Sequence, residues 1–325
     1  MISRRAFLAS CAALAAGAAA AKSPPRPRGR ARPYRIDVHH HFVPPALQKE
    51  GSGFPAWSPE RALEDMDNAG IGTAILSLAP GALAGDDPNV RRTARDINDY
   101  AAQLRKARTG RFGMFATLPL PDRDASVREL DYALGVLRAE GVALASSYGG
   151  KAIGDETFAP LLEEINKRRA VVCVHPPGPV AGEAYEPATE AARGMQSVLF
   201  SGAATRYPDI RWIFLHAGGL AASAFAVFQR MEAELGDKAG ELLPAGVRAE
   251  MQKFHFDAAG LTPESLAALL ALVPSSQLLY GSDYPAGSPV DVTERLRAYK
   301  WKRNELRPVE RENALQLMPR LMLVV

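Results

Sequence analysis

The stretch Arg35-Ile-Asp-Val-His-His-His-Phe-Val-Pro44 is the most informative part of the chain, because it holds half of the six histidines in one strand-like run. Side chains alternate between the two faces of a β-strand, so His39 and His41 are predicted to point one way and His40 the other. Two imidazoles about 6–7 Å apart along a strand can bind one metal ion at metal–nitrogen distances of ~2.0–2.1 Å. The pattern therefore predicts a metal site at the end of a buried strand.

From Pro33 onward, short β-branched or apolar runs alternate with amphipathic stretches of helical periodicity. The runs predicted as strands are Tyr34–Phe42, Gly72–Leu78, Phe112–Leu118, Val142–Ser147, Val171–His175, Ile210–His216, Phe254–Ala258 and Gln277–Gly281. The helices predicted between them include Ser58–Ala69, Asn89–Arg108, Ala125–Glu140, Thr157–Arg168, Thr189–Arg206, Ala221–Leu235 and Thr262–Val273. The stretches 176–188 and 236–246 are predicted as insertions in a single domain.

Strands separated by helices pair in parallel through crossover connections. Eight such units suit a closed (β/α)₈ TIM barrel, an α/β fold for which about 250 residues are typical. A doubly wound open sheet is the competing architecture. No Gly-x-Gly-x-x-Gly follows a predicted strand, so the sequence does not support a dinucleotide-binding version of that sheet.

The beginning of the chain differs in composition from the rest. Residues 1–21 are predicted to be a twin-arginine signal peptide, because the pair Arg4-Arg5 precedes a weakly apolar Ala/Leu run and small residues up to Ala21. A disordered basic N-terminus is the alternative. Residues 22–33 are predicted to be a Pro/Arg-rich linker, and residues 34–325 the barrel domain. We therefore expect export through the twin-arginine machinery to the bacterial periplasm or the medium.

Net charge, the length of the apolar run and the cysteine content argue against a nucleic-acid partner, a membrane span and an internal disulfide. The formal net charge of +3 is too small to predict a nucleic-acid or anionic-membrane surface. The apolar run of the signal is shorter than the ~20 residues of a membrane span, so no stable membrane insertion is expected. The two cysteines are Cys11, inside the predicted signal, and Cys173, so the mature protein is expected to have no internal disulfide.

Polar side chains end four of the predicted strands. His39 and His41 end the first, His175 the fifth and His216 the sixth, and Asp283 follows the eighth. The carboxyl ends of barrel strands meet at one rim, so these groups are predicted to converge there. Each alone has an ordinary explanation as a hydrogen-bonded core histidine or a turn aspartate. Together they supply the N and O donors of one divalent ion, with Zn²⁺ the first expectation and Mn²⁺ the alternative.

These motifs also carry a family resemblance. In order, His-x-His, Val-His-Pro, Leu-His-Ala-Gly-Gly and Tyr-Gly-Ser-Asp-Tyr-Pro resemble the amidohydrolase-related family, and more narrowly the branch that contains aminocarboxymuconate semialdehyde decarboxylase. The opening Asp37–Pro44, the motif Arg206-Tyr-Pro-Asp-Ile210 and the motif Glu312-Asn-Ala314 are similar to those of 6-methylsalicylate decarboxylases. The resemblance covers residues 34–320.

The resemblance implies a role for each rim residue. It implies that His39, His41, His175 and Asp283 are the metal ligands, and that His216 is the catalytic histidine that activates metal-bound water or contacts the substrate. Asp283, a carboxylate at the metal, is the other predicted catalytic acid–base group. No lysine ends the fourth strand, so a carbamylated bridge between two metals is not expected and the site is predicted to be mononuclear. A homodimer is an expectation of the same kind.

The implied activity is non-oxidative decarboxylation of a small aromatic or unsaturated carboxylic acid. Arg193 matches a family Glu-x-x-Arg motif. Family decarboxylases carry an arginine at the position of Val227, and Arg230 lies about one turn later on the same helix face. Both are predicted to bind the substrate carboxylate, and for Arg193 the alternative is attachment of its helix to the barrel. Tyr148 and Tyr284 are predicted as aromatic walls of the pocket.

The chain also departs from the family pattern. Ala62 and Glu64 occupy the stretch where the family carries another arginine, and Arg61 is out of register with it. The departure leaves open a metal-dependent hydrolase of a lactone, an ester or a C–C bond. A non-catalytic exported binding protein is a third hypothesis, and the complete set of metal ligands argues against it.

Overall fold

Eight parallel strands form the centre of the computed structural model, which describes residues 33–48, 57–79, 83, 88–177, 186–216, 218–302 and 304–323. In chain order, which is also their order in the sheet, they are Arg35–His41 (β1), Ile71–Ser77 (β2), Phe112–Thr117 (β3), Gly141–Ala145 (β4), Val171–His175 (β5), Arg211–Phe214 (β6), His255–Asp257 (β7) and Leu278–Leu279 (β8). The predicted eight-stranded barrel is confirmed. The predicted signal, nearly all of the predicted linker and most of the predicted insertion 176–188 lie outside the described residues.

The sheet closes on itself where β1 meets the end of β8. The Val38 amide donates to the Tyr280 carbonyl at 3.0 Å, and the His41 amide donates to the Tyr284 carbonyl at 2.7 Å. β1 therefore lies between β2 and β8, and all seven of its residues are buried. Closure pairs the polar groups of both edge strands, which an open sheet would leave exposed.

Alternate residues of the strands pack into two separate apolar layers. In β5, Val171 and Cys173 face the layer inside the barrel, while Val172 and Val174 face the layer between strands and helices. Successive side chains of a strand point to opposite faces. The same alternation turns His175, the last residue of β5, toward the barrel interior.

The C-terminal segment, residues 308–323, closes the barrel at the amino ends of the barrel strands. Arg35, the first residue of β1, lies 2.6 Å from Glu310 in an ion pair whose side chains are 3% and 2% exposed. Arg211, the first residue of β6, donates to the Leu317 carbonyl at 2.6 Å. The apolar residues that this segment adds to the inner layer are Ala314, Leu317, Met318 and Leu321. We call this region the closed end of the barrel.

Helices cover the outside of the sheet, and the last of them belongs to the closed end. They are Pro59–Ala69 (α1), Val90–Ala107 (α2), Arg123–Asp131 (α3), Ala159–Lys167 (α4), Glu186–Phe200 (α5), Ala203–Arg206 (α6), Gly218–Leu235 (α7), Ala239–Leu242 (α8), Val247–Met251 (α9), Pro263–Leu270 (α10), Pro289–Ala298 (α11) and Asn313–Leu317 (α12). Local sequence explains several starts: Ser58 caps α1 ahead of Pro59, and Thr262 and Ser265 form a capping box on α10. None of the described helices is long and apolar enough to cross a membrane.

Two predicted helices differ from the observed ones. The predicted helix Thr189–Arg206 is divided at Gly202, which has φ +73° and whose absent Cβ would lie 2.8 Å from Leu242 Cδ2. The predicted helix Ala125–Glu140 ends as an α-helix at Asp131 and continues as a π-helical turn to Val136. Gly202 favours the left-handed conformation that ends a helix, which explains the first difference.

Candidate metal centre and active site

Four predicted ligands meet at the carboxyl end of the barrel. They are His39 and His41 from β1, His175 from β5 and Asp283 after β8, and their ligand atoms all lie within 4.8 Å of one another. Nε2 of His41 is 3.1 Å from Nε2 of His39 and 3.2 Å from Nε2 of His175. Oδ1 of Asp283 is 3.1 Å from Nε2 of His39. We call this region the metal end of the barrel.

A divalent ion fits this donor set. Around a tetrahedral ion with ~2.0–2.1 Å ligand bonds, neighbouring nitrogens lie about 3.3 Å apart, close to the observed 3.1 and 3.2 Å. Burial lowers the pKa of His41, and burial together with the neighbouring histidines lowers the pKa of His175 well below its ordinary value. Both rings are therefore neutral at pH 7, the form that binds metals. The four residues form a metal-binding site.

Asp257, the last residue of β7, holds one of the ligands. Its Oδ2 lies 2.6 Å from Nδ1 of His39, and both side chains are fully buried. Burial by itself would lower the pKa of His39, but the carboxylates of Asp257 and Asp283 outweigh it and raise that pKa to about 10. The proton on Nδ1 is thus fixed by Asp257, and a cation that binds Nε2 displaces the other proton.

Asp257 also reaches the predicted catalytic histidine. Its Oδ1 accepts the backbone amide of His216 at 2.9 Å. Asp257 is not among the site residues predicted from the sequence, although it lies at the carboxyl end of the predicted strand Phe254–Ala258, as the ligands lie at the ends of theirs. An acidic residue at a barrel strand end was the signal that could have identified it.

His216 and Asp283 face each other across the site. Nε2 of His216 is 3.8 Å from Oδ2 of Asp283, and the side chains are 20% and 23% exposed. Burial, followed by the charge on His39, lowers the pKa of His216. Burial opposes ionisation of Asp283, but His39 and a hydrogen bond with His41 hold its pKa far below the ordinary value. The pair therefore combines a neutral imidazole with an ionised carboxylate.

The backbone at these two residues is strained. His216 has φ +56° and Asp283 has φ +60°, in the left-handed region that non-glycine residues seldom adopt. Such conformations persist where surrounding contacts determine them, and they concentrate at functional sites. Here both side chains lie at the metal-binding site, with Nε2 of His216 3.8 Å from Oδ2 of Asp283.

β1 contains an irregularity just before its ligands. Three steps along β1, from Asp37 to His40, match two steps along β2, so β1 carries one extra residue there. A bulge of this kind changes the alternation of side chains. Val38 therefore belongs to the inner apolar layer while His39, its neighbour, reaches the metal-binding site. His40 points to the opposite face, as predicted.

The two predicted substrate-binding arginines lie on exposed helix surfaces. Arg193 is 70% exposed and lies 3.1 Å from Glu190 of its own helix. Arg230 is 72% exposed and lies 3.6 Å from Glu234 of its own helix. Among the described residues, neither forms a hydrogen bond or ion pair with the metal ligands. Their contact with a substrate stays a prediction.

The two predicted pocket tyrosines have their hydroxyl groups engaged by protein. The Tyr148 hydroxyl accepts the Ala145 amide at 2.7 Å. The Tyr284 ring stacks on His40 with a centroid separation of 4.5 Å, and its hydroxyl donates to Asp65 at 3.0 Å. These contacts give both tyrosines a packing role, and their role toward a substrate stays a prediction.

Comparisons with known proteins extend these observations. A 6-methylsalicylic acid decarboxylase from Penicillium expansum is 34% identical over 321 residues, which cover 88% of this chain and 97% of that protein. The 2-amino-3-carboxymuconate-6-semialdehyde decarboxylase of Dictyostelium discoideum is 24% identical over 241 residues, which cover 70% of this chain and 67% of that protein.

A solved structure and a family profile agree with the fold and the motifs. The structure of a dihydroxybenzoic acid decarboxylase from Polaromonas sp., with bound manganese and the inhibitor 2-nitroresorcinol, matches with a TM-score of 0.77 at 19% identity, covering 88% of this chain and 97% of that one. This likeness supports the barrel fold. The amidohydrolase profile matches residues 36–320, which span the whole barrel. The resemblance in the sequence is thereby confirmed, and the chain belongs to the amidohydrolase family.

Proposed function

We propose that this enzyme is a metal-dependent, non-oxidative decarboxylase of a small hydroxybenzoate-type acid similar to 6-methylsalicylate. The observation that carries the proposal is the 34% identity with a 6-methylsalicylic acid decarboxylase over 97% of that protein. The assembled metal-binding site supports it, because this chemistry needs a positive charge beside a proton donor.

The reaction replaces one C–C bond of the substrate by a C–H bond at the same carbon and releases CO₂. A bound divalent ion supplies a positive charge that holds substrate oxygens and stabilises negative charge in the transition state. The proton for the new C–H bond comes from solvent, and His216 and Asp283, which lie 3.8 Å apart, are placed to take it up and pass it to that carbon. Because burial lowers the pKa of His216, a proton held there is weakly bound and is readily given to carbon.

We propose Zn²⁺ as the bound metal, with Mn²⁺ as the alternative. Three imidazole nitrogens and one carboxylate favour zinc. The Polaromonas decarboxylase holds manganese on the same fold. Elemental analysis of protein purified without added metal, followed by reconstitution of the stripped protein with each ion, distinguishes the two.

The activity test measures CO₂ release from 6-methylsalicylate and from 2,6-dihydroxybenzoate, with the product analysed by NMR after reaction in D₂O. We expect deuterium at the carbon that loses the carboxylate, and a large loss of CO₂ release in the His175→Ala variant. Acid release from lactones or esters without CO₂ would instead favour the hydrolase alternative. Ligand binding that is equal in stripped and metal-loaded protein would favour the binding-protein alternative.

We further propose that residues 1–21 direct export through the twin-arginine machinery to the periplasm or the medium. The pair Arg4-Arg5 ahead of a weakly apolar run supports this. Fractionation of a bacterial host should find the protein outside the cytoplasm, and Arg4→Lys with Arg5→Lys should retain it inside. The predicted homodimer is tested by light scattering of the purified chain.

A further inference from the structure

We propose that Asp37 is a positioning residue that fixes the spacing between the metal ligands of β1 and the ligand that follows β8. Asp37 lies in β1 and is fully buried. Because of the bulge, its carboxylate lies on the face of His40, 3.1 Å from Nδ1 of that ring, and not among the donor atoms. The inference rests on the metal-binding site and is independent of the reaction catalysed there.

All acceptor positions of the Asp37 carboxylate are used. Oδ1 accepts the His39 amide at 3.1 Å and the Ser282 amide at 2.9 Å. Oδ2 accepts the Ser282 hydroxyl at 2.6 Å and lies 3.1 Å from Nδ1 of His40. An ionised carboxylate has about four acceptor sites. The group is thus saturated by donors from the two strands that close the barrel.

The two backbone amides that Asp37 binds belong to a metal ligand and to the residue before another ligand. His39 is itself a ligand, and Ser282 directly precedes the ligand Asp283. One carboxylate therefore holds the backbone on both sides of the closure, and the 3.1 Å separation between Nε2 of His39 and Oδ1 of Asp283 follows from it. Hydrogen bonds to a charged acceptor are about twice as strong as neutral ones.

The closure at this point has little room to adjust. The Asp283 amide donates to the His39 carbonyl at 2.8 Å. A Cβ at Gly281 would lie 2.9 Å from Cβ of His39 and 2.8 Å from Cβ of Asp257. The two strands are thus pressed together, so a shift of one is transmitted to the ligand of the other.

The test measures metal affinity in the full-length protein. Asp37→Asn keeps the size of the side chain, but its amide nitrogen cannot accept the Ser282 hydroxyl. We expect the dissociation constant for Zn²⁺, measured by chelator competition without substrate, to rise at least 10-fold, the scale found for residues that orient metal ligands. Ser282→Ala removes one of the four donors and should raise it by a smaller factor.

Glu129→Gln is the matched control. Glu129 is also a buried carboxylate, 4% exposed, and it accepts hydrogen bonds from Arg95 and Asn98 in the outer helix layer. Glu129→Gln is expected to lower the melting temperature as Asp37→Asn does, but to change the Zn²⁺ dissociation constant less than twofold.

Two results would overturn the proposal: an unchanged dissociation constant in Asp37→Asn, or an equal rise in Asp37→Asn and Glu129→Gln. If Asp37→Asn does not fold, Ser282→Ala decides, and an unchanged constant there overturns it. A wild-type protein that binds Zn²⁺ but releases no CO₂ would contradict the proposed function alone.

Discussion

The metal end and the closed end of the barrel are built by the same eight strands in opposite ways. At the metal end, three histidines and an aspartate bring their donor atoms within 4.8 Å, and the backbone is left-handed at that aspartate, Asp283, and at His216. At the closed end, the C-terminal segment fills the inner layer with apolar side chains and adds one buried ion pair. The difference teaches that metal binding and folding stability reside in different residues, so mutations can separate them.

The physical reason is that the lone pairs of buried ligand nitrogens repel one another until a cation is bound. The rings of His41 and His175, with Nε2 atoms 3.2 Å apart, are neutral because burial lowers their pKa values, and their facing nitrogens do not stabilise the fold by themselves. The closed end buries apolar surface, which contributes ~25 cal/mol per Å². A site that gives up stability in this way needs a well-packed region elsewhere.

Removing a ligand should have the largest effect. His175→Ala leaves three ligand residues at the metal end. We expect CO₂ release to fall about 1,000-fold or more, as when one of several catalytic residues that act together is removed. Thermal unfolding of the stripped protein should change little, because His175 is partly exposed and the variant loses one local hydrogen bond, from Nδ1 to the Pro176 carbonyl at 2.6 Å. Metal content by elemental analysis and a decarboxylation assay check this. Retention of one metal per chain with normal turnover would contradict it.

A substitution at the closed end should have the opposite effect, lowering folding stability while leaving metal binding unchanged. Leu317 lies in the inner layer and is 3% exposed. We expect Leu317→Ala to lower the free energy of unfolding by ~2–5 kcal/mol. Denaturant unfolding measures this, and Zn²⁺ affinity and KM should stay near wild type. Leu315→Ala, a partly buried neighbour, is the control and should cost less. If Leu317→Ala lowered metal affinity 10-fold, the two ends would not be independent.

The sequence predicted those parts of both ends that short patterns encode. Eight strands followed from local apolar runs, and the ligand set followed from polar residues at their ends. The bulge between Asp37 and His40 could not be predicted, because it is defined by register with another strand. The contacts of Asp257 with His39 and of Asp37 with Ser282 join residues 218 and 245 positions apart, so only the closed barrel brings them together.

Asp257 allows a finer test of the metal end. Asp257→Asn keeps an oxygen for Nδ1 of His39 but removes the charge that raises the pKa of that ring. We expect Zn²⁺ affinity and kcat/KM to fall about 10–100-fold, less than for loss of a ligand. Asp65→Asn is the control, since Asp65 binds the Tyr284 hydroxyl and touches no ligand. Equal losses in the two variants would assign the effect to general disturbance of this end.

The smallest expected effect is a pH dependence of stability from His255, the first residue of β7. Burial lowers the pKa of His255 from 6.5 to about 4. Between these values the unfolded chain binds a proton that the folded chain does not, so stability falls as pH decreases from 6.5 toward 4. The slope is at most ~1.4 kcal/mol per pH unit.

His255→Gln should remove this component of the slope while leaving the buried metal ligands unchanged. Urea unfolding of wild type and variant at several pH values between 4.5 and 7.5, with saturating Zn²⁺ at each pH, isolates the difference, because proton release by the ligands is common to both proteins. The stability difference between the two proteins should shift in favour of the variant as the pH falls. A difference that is constant with pH would show that the His255 ring is protonated equally in the folded and unfolded chains, so its burial would contribute nothing to the acid sensitivity of the barrel.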